Sequence, residues 1–238
     1  MKIVVASRKG GVGKSTLTSG LASYFSTQGK RVLAIDLDPQ SNLAFMMGAD
    51  PTLEGTSRLL KGELPVPQVL EEDENIHILA GGPTLAQQDL ARLDPEDLLD
   101  AVEGLPYDLF LFDCPPGSEH LERLGIVAAD VALVVTNAHP IAIVGAERVL
   151  DDLQRRSQKK RKGPQRWAIV MNMIDTRRTL DKGVDELIDN PEEIPTFKVK
   201  QDSKISYASA CGLPLFKYAP TTSSALSIIE IGKWCTHG

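Results

Sequence analysis

At 238 residues, 42% of them hydrophobic, the chain is long enough to bury one full core, and no apolar run approaches the roughly 18 residues of a membrane-spanning helix. Three widely spaced cysteines, Cys114, Cys211 and Cys235, form no C-x-x-C pair, which argues against a disulfide framework and for a reducing, cytoplasmic compartment. The net charge of −6 conceals an uneven distribution, because residues 49–103 hold 13 acids against 3 bases while residues 151–182 hold 4 acids against 10 bases.

The apolar run Ile3-Val4-Val5-Ala6 predicts a strand that begins at once, so neither a signal peptide nor a preceding DNA-binding module is expected. It leads into Arg8-Lys9-Gly10-Gly11-Val12-Gly13-Lys14-Ser15-Thr16, and a helix is predicted from Lys14 to Phe25. Strand, glycine loop and helix in that order are the context of a phosphate-binding loop. Glycines 10, 11 and 13 let the backbone turn its N–H groups inward on an anion, and the helix adds its positive N-terminal end. Lys14 is placed to reach the β- and γ-phosphates and Ser15 to offer its hydroxyl to Mg²⁺, with Gly10 to Thr16 as the cradle. The common pattern G-x-x-x-x-G-K-[ST] calls for glycine at position 8, where this chain has Arg8. The stretch reads instead as K-G-G-x-G-K-[ST], with a second lysine, Lys9, opening the loop.

In that form the sequence resembles the ParA/MinD family of dimeric, deviant Walker A ATPases. The resemblance implies a P-loop NTPase fold, ATP and Mg²⁺ as ligands, and an ATP-sandwich homodimer in which Lys9 crosses to the partner's nucleotide. A second apolar run, Val32-Leu33-Ala34-Ile35, ends in Asp36-Leu37-Asp38-Pro39-Gln40, carboxylates at the carboxyl end of a buried strand where Mg²⁺ and attacking water lie. The family's D-x-D-P-Q is intact here; by resemblance Asp38 orients the hydrolytic water, beside Lys9 and Lys14 as the catalytic set, and Asp36 supports the Mg²⁺ shell.

Residues 41–103 carry fewer signals. A short helix is expected from Ser41 to Gly48, a strand over Ile76-His77-Ile78-Leu79 with His77 facing outward, and a helix from Pro95 to Val102 begun by Asp94 and Pro95. Glu71-Glu72-Asp73-Glu74 reads as a solvated loop. Tyr107 to Phe112 predicts a buried strand delivering Asp113, the Walker B arrangement in which a carboxylate holds Mg²⁺ through its water shell. Cys114-Pro115-Pro116-Gly117 then reads as a switch loop, similar to the family's D-x-P-P, with Cys114 a buried thiol. Val131 to Val135 predicts a strand, Ile141 to about Lys160 a long helix with Val144, Val149 and Leu153 inward, and Trp167 to Met171 a strand delivering Asn172. By resemblance Asn172 reads the adenine base.

In the last third, Asp175-Thr176-Arg177-Arg178-Thr179-Leu180, Lys204-Ile205-Ser206-Tyr207-Ala208 and Tyr218-Ala219-Pro220 to Ala225 resemble stretches of chromosome-partition ParA proteins, with Arg177 and Lys204 on family DNA-contact positions and Tyr207 where the family has glutamate. The cluster Arg155, Arg156, Lys159, Lys160, Arg161, Lys162 and Arg166 leaves three readings open: cations favouring a helix C-terminus, contacts to DNA phosphate together with Arg177, Arg178 and Lys182, or contacts to anionic lipid. The fold class expected is a doubly wound α/β domain over 1–238, a mostly parallel sheet with helices on both faces. The function implied is ATP-driven positioning of a plasmid, chromosome or other cargo on the nucleoid, through an ATP dimer that binds DNA non-specifically and is released when a cargo-linked protein stimulates hydrolysis. Two rivals are a MinD-like membrane ATPase, disfavoured by the scarcity of cations in the final helix, and a metal-centre maturation ATPase, disfavoured by the lack of paired cysteines. Lys9 argues against a small-molecule kinase or ligase.

Overall fold

A computed structural model describes residues 1–87, 93–175, 177, 178, 181 and 194–237. Eight strands, β1 (Lys2–Ala6), β2 (Val32–Asp36), β3 (Gln68–Leu70), β4 (Asp73–Leu79), β5 (Leu109–Asp113), β6 (Val131–Thr136), β7 (Arg166–Ile174) and β8 (Thr196–Lys200), form one sheet in the order β3-β4-β2-β5-β1-β6-β7-β8. Every pairing is parallel except the edge hairpin β3–β4. Strands β2, β5 and β6 read as unbroken apolar runs because both faces of a parallel sheet are covered.

Alternation along β1 shows the two layers. Ile3 and Val5 enter a core with Leu17 and Leu21 of α1 (Lys14–Thr27) and Ile228 and Ile231 of the last helix (Ser223–Thr236), whereas Val4 and Ala6 enter a core on the opposite face. The second core is closed by α4 (Asp97–Val102), α5 (Glu119–Ala128) and α6 (Pro140–Gln158). Between α1 and α4 come two short helices, α2 (Asn42–Met46) and α3 (Gly55–Leu60). After β8 the chain forms α7 (Ser203–Ala210), α8 (Leu215–Tyr218) and the last helix, α9. The chain leaves β1 toward one edge and builds the other half from β6, so a crevice opens at the carboxyl end of β1.

Several expectations need correction. Asp73 and Glu74 belong to β4 rather than a solvated loop, since the Ser26 hydroxyl donates to both Asp73 oxygens (2.7 and 2.8 Å) and Gln68–Leu70 adds an unpredicted hairpin partner. His77 is half buried, its Nδ1 2.8 Å from the Tyr107 hydroxyl. Helix α4 starts at Asp97, because an Asp94 oxygen accepts the Glu96 N–H in a turn before it. Val144 is exposed; the inward stripe of α6 runs through Ala142, Ala146, Val149 and Leu153. The last helix spends its apolar face, Ile228 and Ile231, on the core. Thr176, Thr179, Leu180 and Lys182 lie outside the described residues.

Candidate nucleotide site

The loop from Ser7 to Gly13 links β1 to α1 at the crevice. Gly11 (φ 76°) and Gly13 (φ 90°) take the left-handed backbone that turns successive N–H groups to one side. An added Cβ at Gly13 would stand 2.2 Å from Asn172 Nδ2, so a side chain there would displace the Asn172 amide. Lys14 is buried and folds back, its Nζ donating to the Lys9 carbonyl at 3.3 Å. Lys9 is exposed, and its ammonium makes no hydrogen bond or ion pair among the described residues.

Three carboxylates converge on the loop. Asp36 and Asp113 are partners in the β2–β5 register, so they end adjacent strands side by side. The Ser15 hydroxyl donates to Asp113 Oδ2 at 2.6 Å and the Thr18 hydroxyl to Oδ1 at 3.1 Å. Burial pushes the Asp113 pKa up to about 6, against the lowering by Ser15 and Lys14. A desolvated carboxylate bonded to the loop hydroxyl is a site short of positive charge, which fits Mg²⁺ held by Ser15 and, through water, by Asp113. Among the described residues no three His, Cys, Asp or Glu side chains are grouped so as to hold a metal ion by themselves.

Asp36 accepts hydrogen bonds from the backbone around it. It is fully buried, and its oxygens accept the backbone N–H groups of Asp38 (2.9 Å), Leu43 (3.0 Å) and Ala44 (3.4 Å). Those bonds brace the Asp38 turn and the start of α2; burial, then the neighbouring Asp113, raises its pKa well above the usual carboxylate range. Asp38 keeps one oxygen on the Gln40 N–H and lines the cleft with Gly10, Gly11, Lys14, Ser15 and Pro116.

Asn172 lies inside β7 rather than after it, because Met173 (φ 58°) makes a kink that lets the strand resume at Ile174. Its Nδ2 donates to the Val12 carbonyl at 2.8 Å, and it lines a second cavity with Thr16, Leu17, Val199, Gln201 and Ile205. That places Asn172 between the phosphate loop and an apolar slot. Val12 itself is buried and Thr16 opens onto both spaces.

The basic residues are not brought together. Helix α6 carries 19 residues and spans about 28 Å, so Arg155 to Lys162 lie at and just past its C-terminal end, at the end of the sheet away from the crevice. Arg177, Arg178 and Lys204 follow β7 and β8 at the crevice end. Several of them are engaged: Arg155 Nε donates to the Asp151 carbonyl, Arg156 pairs with Asp152, Lys162 with Glu96 and Arg177 with Asp175. Arg166 caps α9 through the carbonyls of Trp234 and Cys235. Lys159, Lys160, Arg161 and Lys204 are exposed without such partners among the described residues.

The sequence reading missed Thr18, although a hydroxyl one turn beyond Lys14 faces the same way as Ser15. It also missed Gly81 and Gly82 after β4. An added Cβ on Gly81 would stand 2.1 Å from the Asp38 carbonyl, and the Gly82 N–H donates to the Ser41 hydroxyl at 2.8 Å, so this segment backs the Asp38 turn. Cys114 is buried as expected, and burial, then Glu122, raises its thiol pKa well above the usual value.

The chain's residues 1–163 match the family model described as "AAA domain" (AAA_31). It is 30% identical over 228 residues to the chromosome-partitioning ATPase Soj of Thermus thermophilus, covering 94% of this chain and 90% of Soj. It is 28% identical over 249 residues to the chromosome partitioning protein ParA of Caulobacter vibrioides, covering 97% and 92%. Among solved structures, the septum site-determining protein MinD of Pyrococcus horikoshii, complexed with Mg-ADP, superposes with a TM-score of 0.79 at 24% identity, over 99% of this chain and 96% of that one. With a phosphate loop that opens on Lys9 and the carboxylates Asp36, Asp38 and Asp113 gathered beside it, the chain belongs to the ParA/MinD family of P-loop ATPases.

Proposed function

We propose that the protein is a ParA-like Mg²⁺-dependent ATPase whose ATP-bound form is a sandwich homodimer that binds duplex DNA without sequence preference. In this reading a cargo-linked partner stimulates hydrolysis, and the cycle segregates or positions a plasmid, chromosome or other cargo on the nucleoid. The observation that carries it is the contrast between the two loop lysines: Lys14 is buried and turned onto its own loop, whereas Lys9 stands exposed with its ammonium unpaired among the described residues. A lysine so placed is available to a nucleotide on a second copy.

A bound Mg²⁺ would supply the positive charge that neutralises what develops on the phosphates. Ser15 and Asp113 would hold it, with Asp36 bracing the neighbouring turn. Gly10 to Thr16 cradle the phosphates, Asp38 orients water and Asn172 takes the base. Similarity to Soj and ParA supports the DNA-positioning use.

Light scattering with and without a non-hydrolysable ATP analogue tests the reading. The wild type should double in mass with nucleotide, while Lys9→Ala should bind nucleotide as a monomer and neither dimerise nor turn over. A dimer of Lys9→Ala that hydrolyses normally refutes it. An ATP form that ignores DNA at low salt yet sediments with anionic liposomes would replace DNA by membrane as the surface.

A further inference from the structure

The residue before Lys9 makes a contact that the chemistry above does not use. Arg8 Nε donates to Glu122 Oε1 at 3.2 Å and Arg8 Nη1 lies 3.2 Å from Glu119 Oε1. The Glu122 side chain is only 5% exposed, and both acids sit at the start of α5, directly after the loop that follows Asp113. Taking a carboxylate and a guanidinium out of water costs about as much as their attraction returns, so such a pair is poor support for stability in itself. What it does provide is a defined geometry between two segments.

Those segments matter because of what lies between them. The Lys9 backbone is held on four sides: its N–H donates to the Ser7 hydroxyl (3.3 Å), its carbonyl accepts from Lys14, Gly145 of α6 packs beneath it with its Cβ position 3.6 Å from Lys9 N, and Arg8 ties the preceding residue to α5. On the other flank Pro116, in the loop after Asp113, lies 3.6 Å from the Cβ position of Gly10. Lys9 is thus bracketed by two contacts to one segment, residues 114–122, whose Pro116 lines the cleft beside the phosphate loop.

We propose that Arg8 is a positioning residue for Lys9: through Glu122 and Glu119 it joins the phosphate loop to the helix that follows the Asp113 loop, so that presentation of Lys9 to a second copy of the chain follows the conformation of that loop. This rests on the sandwich-dimer reading. It also accounts for an arginine where the common phosphate-loop pattern has glycine, since a fork of donors can hold two carboxylates one helical turn apart.

The test compares wild type, Arg8→Gln, Arg8→Lys and the double variant Arg8→Gln/Glu122→Gln. Each is measured for affinity of the monomer for a fluorescent ATP analogue, for melting temperature and for the ATP-dependent dimer constant by sedimentation. The double variant removes the orphaned buried charge that the single one leaves behind. Expected is a dimer weakened by about tenfold or more in both glutamine variants. Nucleotide affinity of the monomer should stay within about twofold, and the melting point of the double variant within about 3 °C, of wild type. Arg8→Lys should fall between, because an ammonium can meet one carboxylate and not the fork. A double variant that dimerises like wild type overturns the role of Arg8 and assigns the single variant's loss to the unpaired Glu122. Nucleotide affinity falling in step with dimerisation overturns it too, because the damage is then to the loop as a whole. A wild type that stays monomeric with ATP refutes the sandwich reading itself, and this proposal with it.

Discussion

The Asp38 N–H donates to Asp36 Oδ1 at 2.9 Å, so a fully buried carboxylate holds in place the turn that carries the one lining the cleft. The two acids therefore do different work. Asp38→Ala removes the group that orients water, and turnover should fall by about a hundredfold or more while the ATP dimer persists. Asp36→Ala leaves the N–H groups of Asp38, Leu43 and Ala44 without an acceptor and should lower the melting temperature as well. Parallel assays of turnover, dimer mass and thermal melting check both. Equal melting losses in the two variants would contradict the division.

Gly13 and Asn172 leave each other no room. Gly13→Ala forces a Cβ onto the Asn172 amide and an L side chain into a left-handed backbone, so nucleotide affinity should fall by about a hundredfold, with a stability loss of about 1–3 kcal/mol. Gly11→Ala makes a control, because its φ is similar while no atom lies within 4 Å of the added methyl. Isothermal titration should show the smaller loss there.

Asp113 sets a pH dependence of the nucleotide-free protein. Its folded pKa, about 6, lies above the ordinary carboxylate value, so the folded state binds the proton more tightly than the unfolded one. The charge penalty is absent below pH about 4, grows as pH rises through 4–6 and is fully present above 6. At most about 3 kcal/mol is involved, since two units at 1.36 kcal/mol each set the scale. Without Mg²⁺ or nucleotide, Asp113→Asn should therefore melt higher than wild type at pH 8, with the gap closing toward pH 4. A constant gap across that range would show that the carboxylate is not charged at a cost.

The two basic groups make opposite predictions about DNA. Charge reversal at Lys204 should weaken binding of the ATP dimer to unrelated duplexes alike, and flatten the log–log salt slope by about 0.9 per lost contact, or roughly two units over a dimer. Reversal of Lys159, Lys160 and Arg161 together should change the slope little, because those cations sit at the far end of α6 where they complement its dipole. Gel-shift titrations at several salt concentrations decide between the ends. A larger effect from the far group would move the DNA surface to that side.

What the sequence determined by itself was the local chemistry. A strand, a glycine loop and a helix are written in consecutive residues, and so are Asp36 and Asp113 at the ends of apolar runs, because a buried parallel strand must be continuously apolar until it meets the crevice. The doubly wound sheet followed from that same alternation of strands and helices. Tertiary structure decided everything that depends on distance across the chain. It brought Ser15 and Thr18 to Asp113, 98 and 95 residues away, and Arg8 to Glu122 across 114. It also aimed three backbone N–H groups, from Asp38, Leu43 and Ala44, at the buried Asp36 carboxylate. It also divided a basic segment that looks contiguous in sequence, because a 19-residue helix followed by a strand running back carries its two parts to opposite ends of the strands. Charge counted along the chain holds no record of that separation, since the length of α6 and the parallel return of β7 set it.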